Sequence, residues 1–148
     1  MSKLSSRESL PHGVVISKNL PDPLKSFHPH AKLVGEFVYV SGLIAKRDAN
    51  MKFVGTTVSI FRNTKHDVSE QLESIMESLG TILEESGSRL SNIVDVTVFL
   101  TNVERDFANF NRAYGTFFSE ILPTRTTVEV SRLPSNVCIE LKVIARKN

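Results

Sequence analysis

Two ionisable residues near the end of the chain stand in segments that otherwise favour buried strands. Arg125 lies within residues 123–130, which are rich in threonine and valine, and Glu140 lies between Ile139 and Leu141. The planar guanidinium of arginine offers five donors, suits a carboxylate ligand and stays charged at any working pH. Burial of Glu140 among apolar neighbours would raise its pKa toward values useful in acid–base catalysis. The alternative from the pattern alone is an ordinary ion pair, or two solvent-facing residues on an edge strand.

Other catalytic and metal-binding patterns find no support in the sequence. His28 and His30 flank a proline, a spacing that suits no common zinc signature. The single cysteine, Cys138, excludes an internal disulfide and any C-x-x-C motif, and its apolar segment is typical of an inert buried thiol. Ser41-Gly42 is not part of a G-x-S-x-G elbow, and no glycine-rich phosphate loop occurs. The sequence therefore predicts neither a metal nor a cofactor.

Composition is that of an ordinary globular protein. The chain has 148 residues, 41% hydrophobic and 23% charged, enough for one domain with a real core. Its net charge of +2 is too small for the basic surface of a dedicated nucleic-acid binder. No apolar run approaches the ~20 residues that span a membrane. Residues 1–11 lack the apolar core of a signal peptide, and Glu8 and Pro11 argue against a transit peptide.

From this composition we expect a cytoplasmic protein, with the mitochondrion as the alternative location. Four of the six prolines lie in the first 29 residues. We therefore expect a partly irregular N-terminal arm over residues 1–29 and a single domain over residues 30–148.

Apolar periodicity predicts two helices. Positions from Val68 to Leu83 recur at offsets of three and four, Asp67 and Glu70 form a capping box, and Gly87 suits the C-terminal cap. A second helix is predicted to open with a capping box of Thr101 and Glu104. The side chains that share its apolar side are Phe107, Phe110, Tyr114, Phe117 and Phe118.

Strands are predicted before, between and after these two helices in the sequence. The predicted segments are residues 14–17, 37–41 with a bulge at Gly42 and a continuation to 45, 53–54, 93–100, 126–131 and 138–145. The resulting order, β–β–α–β–α–β–β, indicates an α+β fold with both helices on one face of a sheet. Because the strands are apolar on both faces, we expect a second subunit to cover the other face.

Several of these stretches together resemble one family. They are Ser41-Gly42, residues 96–100, 106–111, 114–118, 123–134 and 139–145. The most specific is a proline, Arg125, two threonines and Val-Glu-Val, followed by Arg-Leu-Pro. Over residues 30–146, in uninterrupted order, the chain is similar to the RidA (YjgF/YER057c) family of enamine/imine deaminases.

The resemblance implies a chorismate-mutase-like mixed sheet with two helices on one face, and a homotrimer with sites in the clefts between subunits. It also implies hydrolysis of 2-amino-unsaturated acids to 2-oxo acids and ammonia without metal or cofactor. By position, Arg125 would bind the carboxylate of a small substrate, Ser41 and the Gly42 amide would assist, and Glu140 would position the water. Asn111 and Tyr114 match family positions near the cleft.

The chain also departs from the family pattern. His30 stands where a tyrosine is usual, Leu43 where the deaminases commonly carry glutamine, and Thr127 where many members have cysteine. Residues 27–30, 55–67 and 139–143 look closer to the 2-aminomuconate deaminase branch, which would imply a dicarboxylate substrate. The candidate cations for its second carboxylate are Lys46, Arg47, Arg62, Lys65 and protonated His30. The alternatives are a ribonuclease or translation inhibitor, and a non-catalytic member that binds small metabolites.

Overall fold

A computed structural model describes residues 10–148, in which six strands form one mixed sheet. These strands are β1 (Val14–Val15), β2 (Ala31–Val34), β3 (Phe37–Leu43), β6 (Ile93–Leu100), β7 (Thr124–Glu129) and β8 (Ile139–Arg146). A separate hairpin consists of β4 (Thr56–Val58) and β5 (Thr64–His66), and the helices are α1 (Val68–Glu85) and α2 (Val103–Phe118). The sheet order is β1-β2-β3-β8-β6-β7. Only β6 and β7 are parallel, because α2 carries the chain between them as a crossover.

Both helices pack on one face of this sheet, as predicted. Alternate residues of each central strand point to that face, and the core forms where they meet α1 and α2. The fully buried strand residues are Ala31, Val38, Val40, Val96, Val98, Leu100, Ile139, Leu141, Val143 and Ala145. The predicted α+β class with two helices on one face is confirmed.

The two helix N-termini differ in how well the sequence predicted them. Asp67 caps α1, its Oδ1 accepting from the Glu70 amide at 3.0 Å, and Gly87 follows the helix with φ of +73°. For α2 the predicted cap, Thr101, is wrong by one residue. Asn102 is the cap, and its Oδ1 accepts from the Arg105 amide at 2.8 Å. The Thr101 amide instead donates to the Cys138 carbonyl at 3.1 Å and extends the β6–β8 ladder.

Several strand predictions also need correction. The sequence did not indicate β2, which pairs with β3 across a tight turn at Gly35-Glu36, or the β4–β5 hairpin. Residues 53–54 form no strand, and Phe53 makes only an isolated bridge to Arg47. The predicted bulge at Gly42 is present as a register shift between Val40 and Leu43, but the strand ends at Leu43.

The N-terminal segment lies on the domain as far as it is described. β1 adds to the edge of the sheet by pairing with β2, and Ser17 and Asn19 both donate to Glu85 on α1. Residues 1–9 of the predicted arm lie outside the described residues.

The second face of the sheet carries apolar side chains that no element among residues 10–148 covers. Phe37 is 41% exposed, Tyr39 40% and Val128 39%. The sequence pattern predicted β3 as a strand covered on both faces. In the single chain only its helix side is covered.

Candidate active site

Four predicted site residues lie together beside α2, in what we name the arginine half-site: Asn111, Tyr114, Arg125 and Thr127. Arg125 pairs with Val96 on the neighbouring strand, which places its side chain on the helix face of the sheet. Its Nη1 donates to Asn111 Oδ1 at 2.9 Å. Its guanidinium carbon lies 4.8 Å from the centroid of the Tyr114 ring. The stacking and the hydrogen bond together orient the plane of the guanidinium.

Two hydroxyl groups of this half-site are buried without a hydrogen-bond partner. They are Tyr114 Oη and Thr127 Oγ1. Burial raises the pKa of Tyr114, although the nearby Arg125 charge opposes the shift. Buried hydroxyls nearly always have partners, and an unpaired one costs free energy.

Glu140 belongs to a second group of predicted residues, the glutamate half-site, which comprises Ser41, Gly42 and Glu140. The bulge in β3 brings Gly42 under the Glu140 side chain, and a Cβ at Gly42 would overlap the Glu140 carboxylate. A side chain at position 42 would therefore push the Glu140 carboxylate out of this position. Burial raises the pKa of Glu140. Ser41 Oγ donates to the Pro29 carbonyl at 2.7 Å, so this hydroxyl can only accept from a ligand.

The sequence analysis did not single out Lys142, which lies on the same face as Glu140. Two residues apart on β8, the two side chains share the uncovered face. Lys142 Nζ donates to the Val40 carbonyl at 2.5 Å, and burial lowers the pKa of its ammonium group. The signal in the sequence was a second ionisable residue at strand spacing from Glu140.

His30 lies close to this half-site, but both of its ring nitrogens are already hydrogen-bonded to the backbone. Its Nδ1 accepts from the Ser17 amide at 2.9 Å, and its Nε2 donates to the Pro21 carbonyl at 3.1 Å. Burial also lowers the pKa of His30. The neutral imidazole of His30 therefore holds the N-terminal segment in place. The prediction that a protonated His30 binds a carboxylate is wrong.

Cys138 is inert, as predicted. It is fully buried, and burial raises the pKa of its thiol to about 12. The side-chain Oε1 of Gln71 accepts from both the backbone amide and the thiol of Cys138. Because the thiolate is the reactive form, this cysteine offers no nucleophile at neutral pH.

An open cleft of about 840 Å³ begins at Gly42 and runs along the segment that follows β3. Arg47, Met51 and Phe53 line its far end. A second cleft, of about 680 Å³, includes Arg89 and Arg146 but none of the predicted site residues. We therefore take the first cleft as the space that adjoins the glutamate half-site.

The two half-sites lie on opposite faces of the sheet within one chain. Arg125 pairs with Val96, which faces the helices, whereas Glu140 pairs with Phe99, which faces the other way. The paired positions are three residues apart along β6, roughly 10 Å, and β7 and β8 are about 10 Å apart across it. One chain therefore cannot bring Arg125 and Glu140 to the same small molecule.

Neither a metal cluster nor a membrane span is found in the part of the chain that the structure describes. Over residues 10–148, no group of three or more His, Cys, Asp and Glu side chains could hold a metal ion. No helix within the same range is long and apolar enough to cross a membrane.

Residues 17–147 match the family described as endoribonuclease L-PSP. The chain belongs to this family, also known as RidA or YjgF/RutC. A RutC family protein of Pyrococcus abyssi is 37% identical over 134 residues, covering 90% of this chain and 96% of that protein. The mitochondrial protein MMF1 of Saccharomyces cerevisiae is 36% identical over 130 residues, covering 88% of this chain and 81% of the yeast protein.

Solved structures of the RidA family have the same fold. The Rid family protein YyfA from Yersinia pestis gives a TM-score of 0.75 at 28% identity, covering 90% of this chain and 97% of that chain. The Escherichia coli YjgF product gives 0.68 at 26%, covering 92% and 94%. The predicted family is therefore confirmed, and so is the predicted YjgF-type architecture within one chain.

Proposed function

We propose that this RidA family member is a cofactor-independent hydrolytic deaminase of enamine and imine acids. The observation that supports this most strongly is the pair of incomplete half-sites. One offers an oriented guanidinium, and the other offers a carboxyl with a raised pKa. Together they supply a carboxylate anchor and an acid–base group, which imine hydrolysis requires.

The proposed reaction needs no electron transfer. The enamine takes a proton on carbon and becomes an imine, and Glu140 in its protonated form gives a proton to the imine nitrogen. Water then attacks the carbon, Glu140 as carboxylate accepts the proton from that water, and the tetrahedral adduct expels ammonia to leave the 2-oxo acid. Arg125 holds the substrate carboxylate so that the carbon and the water stay aligned. Orientation of this kind supplies up to ~7–11 kcal/mol in the best intramolecular cases.

The two half-sites meet only if Arg125 of one copy faces Glu140 of another. We propose a homotrimer in which the uncovered sheet face of each copy packs against the edge of the next copy at β7, the strand that carries Arg125, so that three such sites form at the subunit contacts. Phe37, Tyr39 and Val128 support this arrangement, because they are large apolar side chains left exposed on that face of the sheet.

The assembly can be tested directly. Light scattering at micromolar concentration should return about three times the 16.5 kDa mass of the chain. Replacing Tyr39 on the uncovered face by glutamate should shift the mass toward the single chain, whereas the same change at Phe27, which is exposed but outside the sheet, should not. A monomer mass for the unaltered protein would contradict the trimer.

Mixing two inactive variants should restore activity if the site is shared. Arg125→Ala and Glu140→Gln, dissociated and reassembled together at equal amounts, should regain roughly one quarter of the native activity. The reason is statistical: each half-site is intact in half of the copies, so both are intact at about a quarter of the contacts. Activity no greater than that of the separate variants would show that both residues do not serve one shared site.

We also propose a substrate class and a cellular location. We propose a 2-aminomuconate-like dicarboxylate as substrate, and only the branch resemblance supports it. The name of the yeast relative is consistent with a mitochondrial location, which stands beside the cytoplasmic one.

RNA cleavage is the second candidate function, because the description of the matching family names an endoribonuclease. The net charge of +2 gives little attraction for a polyanion. Incubation with single-stranded RNA distinguishes the two functions. Cleavage that disappears in both Arg125→Ala and Glu140→Gln, with no ammonia release from any imino acid, would favour the nuclease. Tight binding of 2-oxo acids without either reaction would favour a non-catalytic binding protein.

A further inference from the structure

Lys142 lies directly opposite the bulge that shapes the glutamate half-site. The regular pairing of β3 with β8 stops after Val40 and resumes at Leu43. The two residues in between, Ser41 and Gly42, therefore face a single residue of β8, Lys142. Two residues opposite one form a bulge, which bends its strand and interrupts the ladder of hydrogen bonds. The bend therefore depends on contacts other than the ladder.

Hydrogen bonds hold the bulge from both sides. On the side of β2, the Ser41 amide donates to the His30 carbonyl at 2.9 Å, and the Ser41 hydroxyl donates to the Pro29 carbonyl at 2.7 Å. On the side of β8, the Lys142 ammonium donates to the Val40 carbonyl at 2.5 Å. A hydrogen bond from a charged donor is roughly twice as strong as a neutral one. Lys142 therefore fixes the strand at the last residue before the bulge.

The Lys142 ammonium is not used in an ion pair. Among residues 10–148, no aspartate or glutamate oxygen lies within ion-pair distance of it, although Glu140 lies two residues away on the same face. The pKa of Glu140 is accordingly raised by burial, with no opposing effect from a neighbouring charge. The charge of Lys142 is therefore directed to the backbone of β3.

The bulge determines where the Glu140 carboxylate lies. It brings Gly42 so close to this side chain that a Cβ there would overlap the carboxylate. Without the bulge, the pairing beyond Val40 would slip by one residue, which turns every later side chain of β3 to the opposite face. The position of the carboxylate therefore depends on the bend that Lys142 stabilises.

We propose, on the basis of the deaminase function above, that Lys142 is a positioning residue, which stabilises the bulge of β3 so that Gly42 supports the reacting carboxyl group of Glu140. Lys142 acts through the backbone and contacts neither the substrate nor the reacting atoms. Its loss should therefore slow the chemical step. Substrate binding, which we assign to Arg125 of the partner subunit, should remain nearly unchanged.

Steady-state ammonia release from 2-iminopropanoate, generated in place by oxidation of alanine, tests this role. Lys142→Met should lower kcat by about 10- to 100-fold, because a displacement of about 1 Å in an aligned group has an effect of this order. KM should change by less than about threefold, since no group that binds substrate is lost. Lys142→Arg keeps charged donors and should restore kcat to within about fivefold of the native value.

Lys52→Met is the matched control for these variants. Lys52 is exposed on the loop after β3 and makes no ion pair among residues 10–148, so its replacement should leave kcat and KM unchanged. Native kcat in Lys142→Met would overturn the proposal. A raised KM with native kcat would also overturn it, because that result would make Lys142 a substrate-binding residue.

A double variant tests whether Lys142 acts through the bulge. Gly42→Ala should also lower kcat, because its Cβ would displace the Glu140 carboxylate. If both changes disturb the same bend, Gly42→Ala combined with Lys142→Met should lose little more than the larger of the two single losses. Losses that multiply would show that the two residues act independently, contrary to the proposal.

Glycine amide signals measured by NMR keep this proposal separate from the deaminase function. The chain has seven glycines, so selective labelling gives few signals. In Lys142→Met, the Gly42 amide should shift and exchange with solvent at least about tenfold faster, whereas the Gly115 amide on α2 should not change. If the native protein hydrolyses no imino acid, the proposed function is wrong, and the Gly42 signal still decides whether Lys142 stabilises the bulge. An unchanged Gly42 signal in Lys142→Met would overturn that role.

Discussion

Replacing Arg125 by lysine should lower kcat/KM almost as far as replacing it by alanine, by about 100-fold or more. A single ammonium cannot bind both oxygens of a carboxylate and at the same time accept the orientation that Asn111 and Tyr114 give the guanidinium. The charge would remain, but the substrate carbon would no longer be held in line with the water. The measurement is steady-state ammonia release from an imino acid generated in place.

Arg112→Lys is the control for this change. Arg112 lies on the same helix as Asn111, is exposed, and donates only to Asn109 at 3.3 Å. Its replacement should leave kcat/KM within about twofold of the native value. Near-native kcat/KM in Arg125→Lys would refute the carboxylate-binding role of Arg125.

The elements with strong local signals were predicted well. The apolar spacing from Val68 to Leu83 and the Asp67 cap identify α1, because period, cap and terminating glycine agree. The bounds predicted for β6 are those observed, Ile93–Leu100, since its β-branched run is long and unbroken. Such features depend on neighbours in sequence and need no knowledge of the partner strand.

The elements that were missed depend on distant partners. β2 is four residues long and includes a lysine, and β4 and β5 are three residues each and partly polar. Their extended form comes from ladder hydrogen bonds rather than from an apolar pattern. The α2 cap was missed for a similar reason. Thr101 and Asn102 are both good capping residues, and the bond from the Thr101 amide to the Cys138 carbonyl decides between them.

The sequence indicated the candidate site residues but not how they are arranged. The resemblance indicated Asn111, Tyr114, Arg125 and Thr127, and the structure brings these four together. The register with β6 turns Arg125 and Thr127 to the helix face and Val128 to the uncovered face. In a strand with threonines on both sides, the pattern does not fix which face is buried. The division of the site between two faces therefore required the pairing register.

Glu140 is the residue whose replacement should most clearly separate chemistry from stability. Its pKa is raised by burial, so the folded chain holds the proton more tightly than the unfolded chain does. The free energy of unfolding should therefore be higher below the unfolded pKa of glutamate and should fall as the pH rises through the raised pKa. A glutamine at this position keeps the shape and the neutral hydrogen bonding but has no such pH dependence.

Glu140→Gln should consequently lose turnover by about 10²- to 10⁴-fold while unfolding at a temperature no lower than the native protein at pH 8. The difference in Tm between the variant and the native protein should grow from pH 4 to pH 8, because only the native chain loses stability as the carboxyl ionises. Calorimetry with a stable 2-oxo acid should show binding within a few-fold of native. The exposed Glu36→Gln change, at the turn between β2 and β3, provides the control and should alter neither rate nor pH dependence. A Glu140→Gln protein that turns over at the native rate would remove Glu140 from the chemistry. A Tm that drops with the mutation at pH 8 would show that the ionised carboxylate stabilises the fold, contrary to the effect expected from its burial.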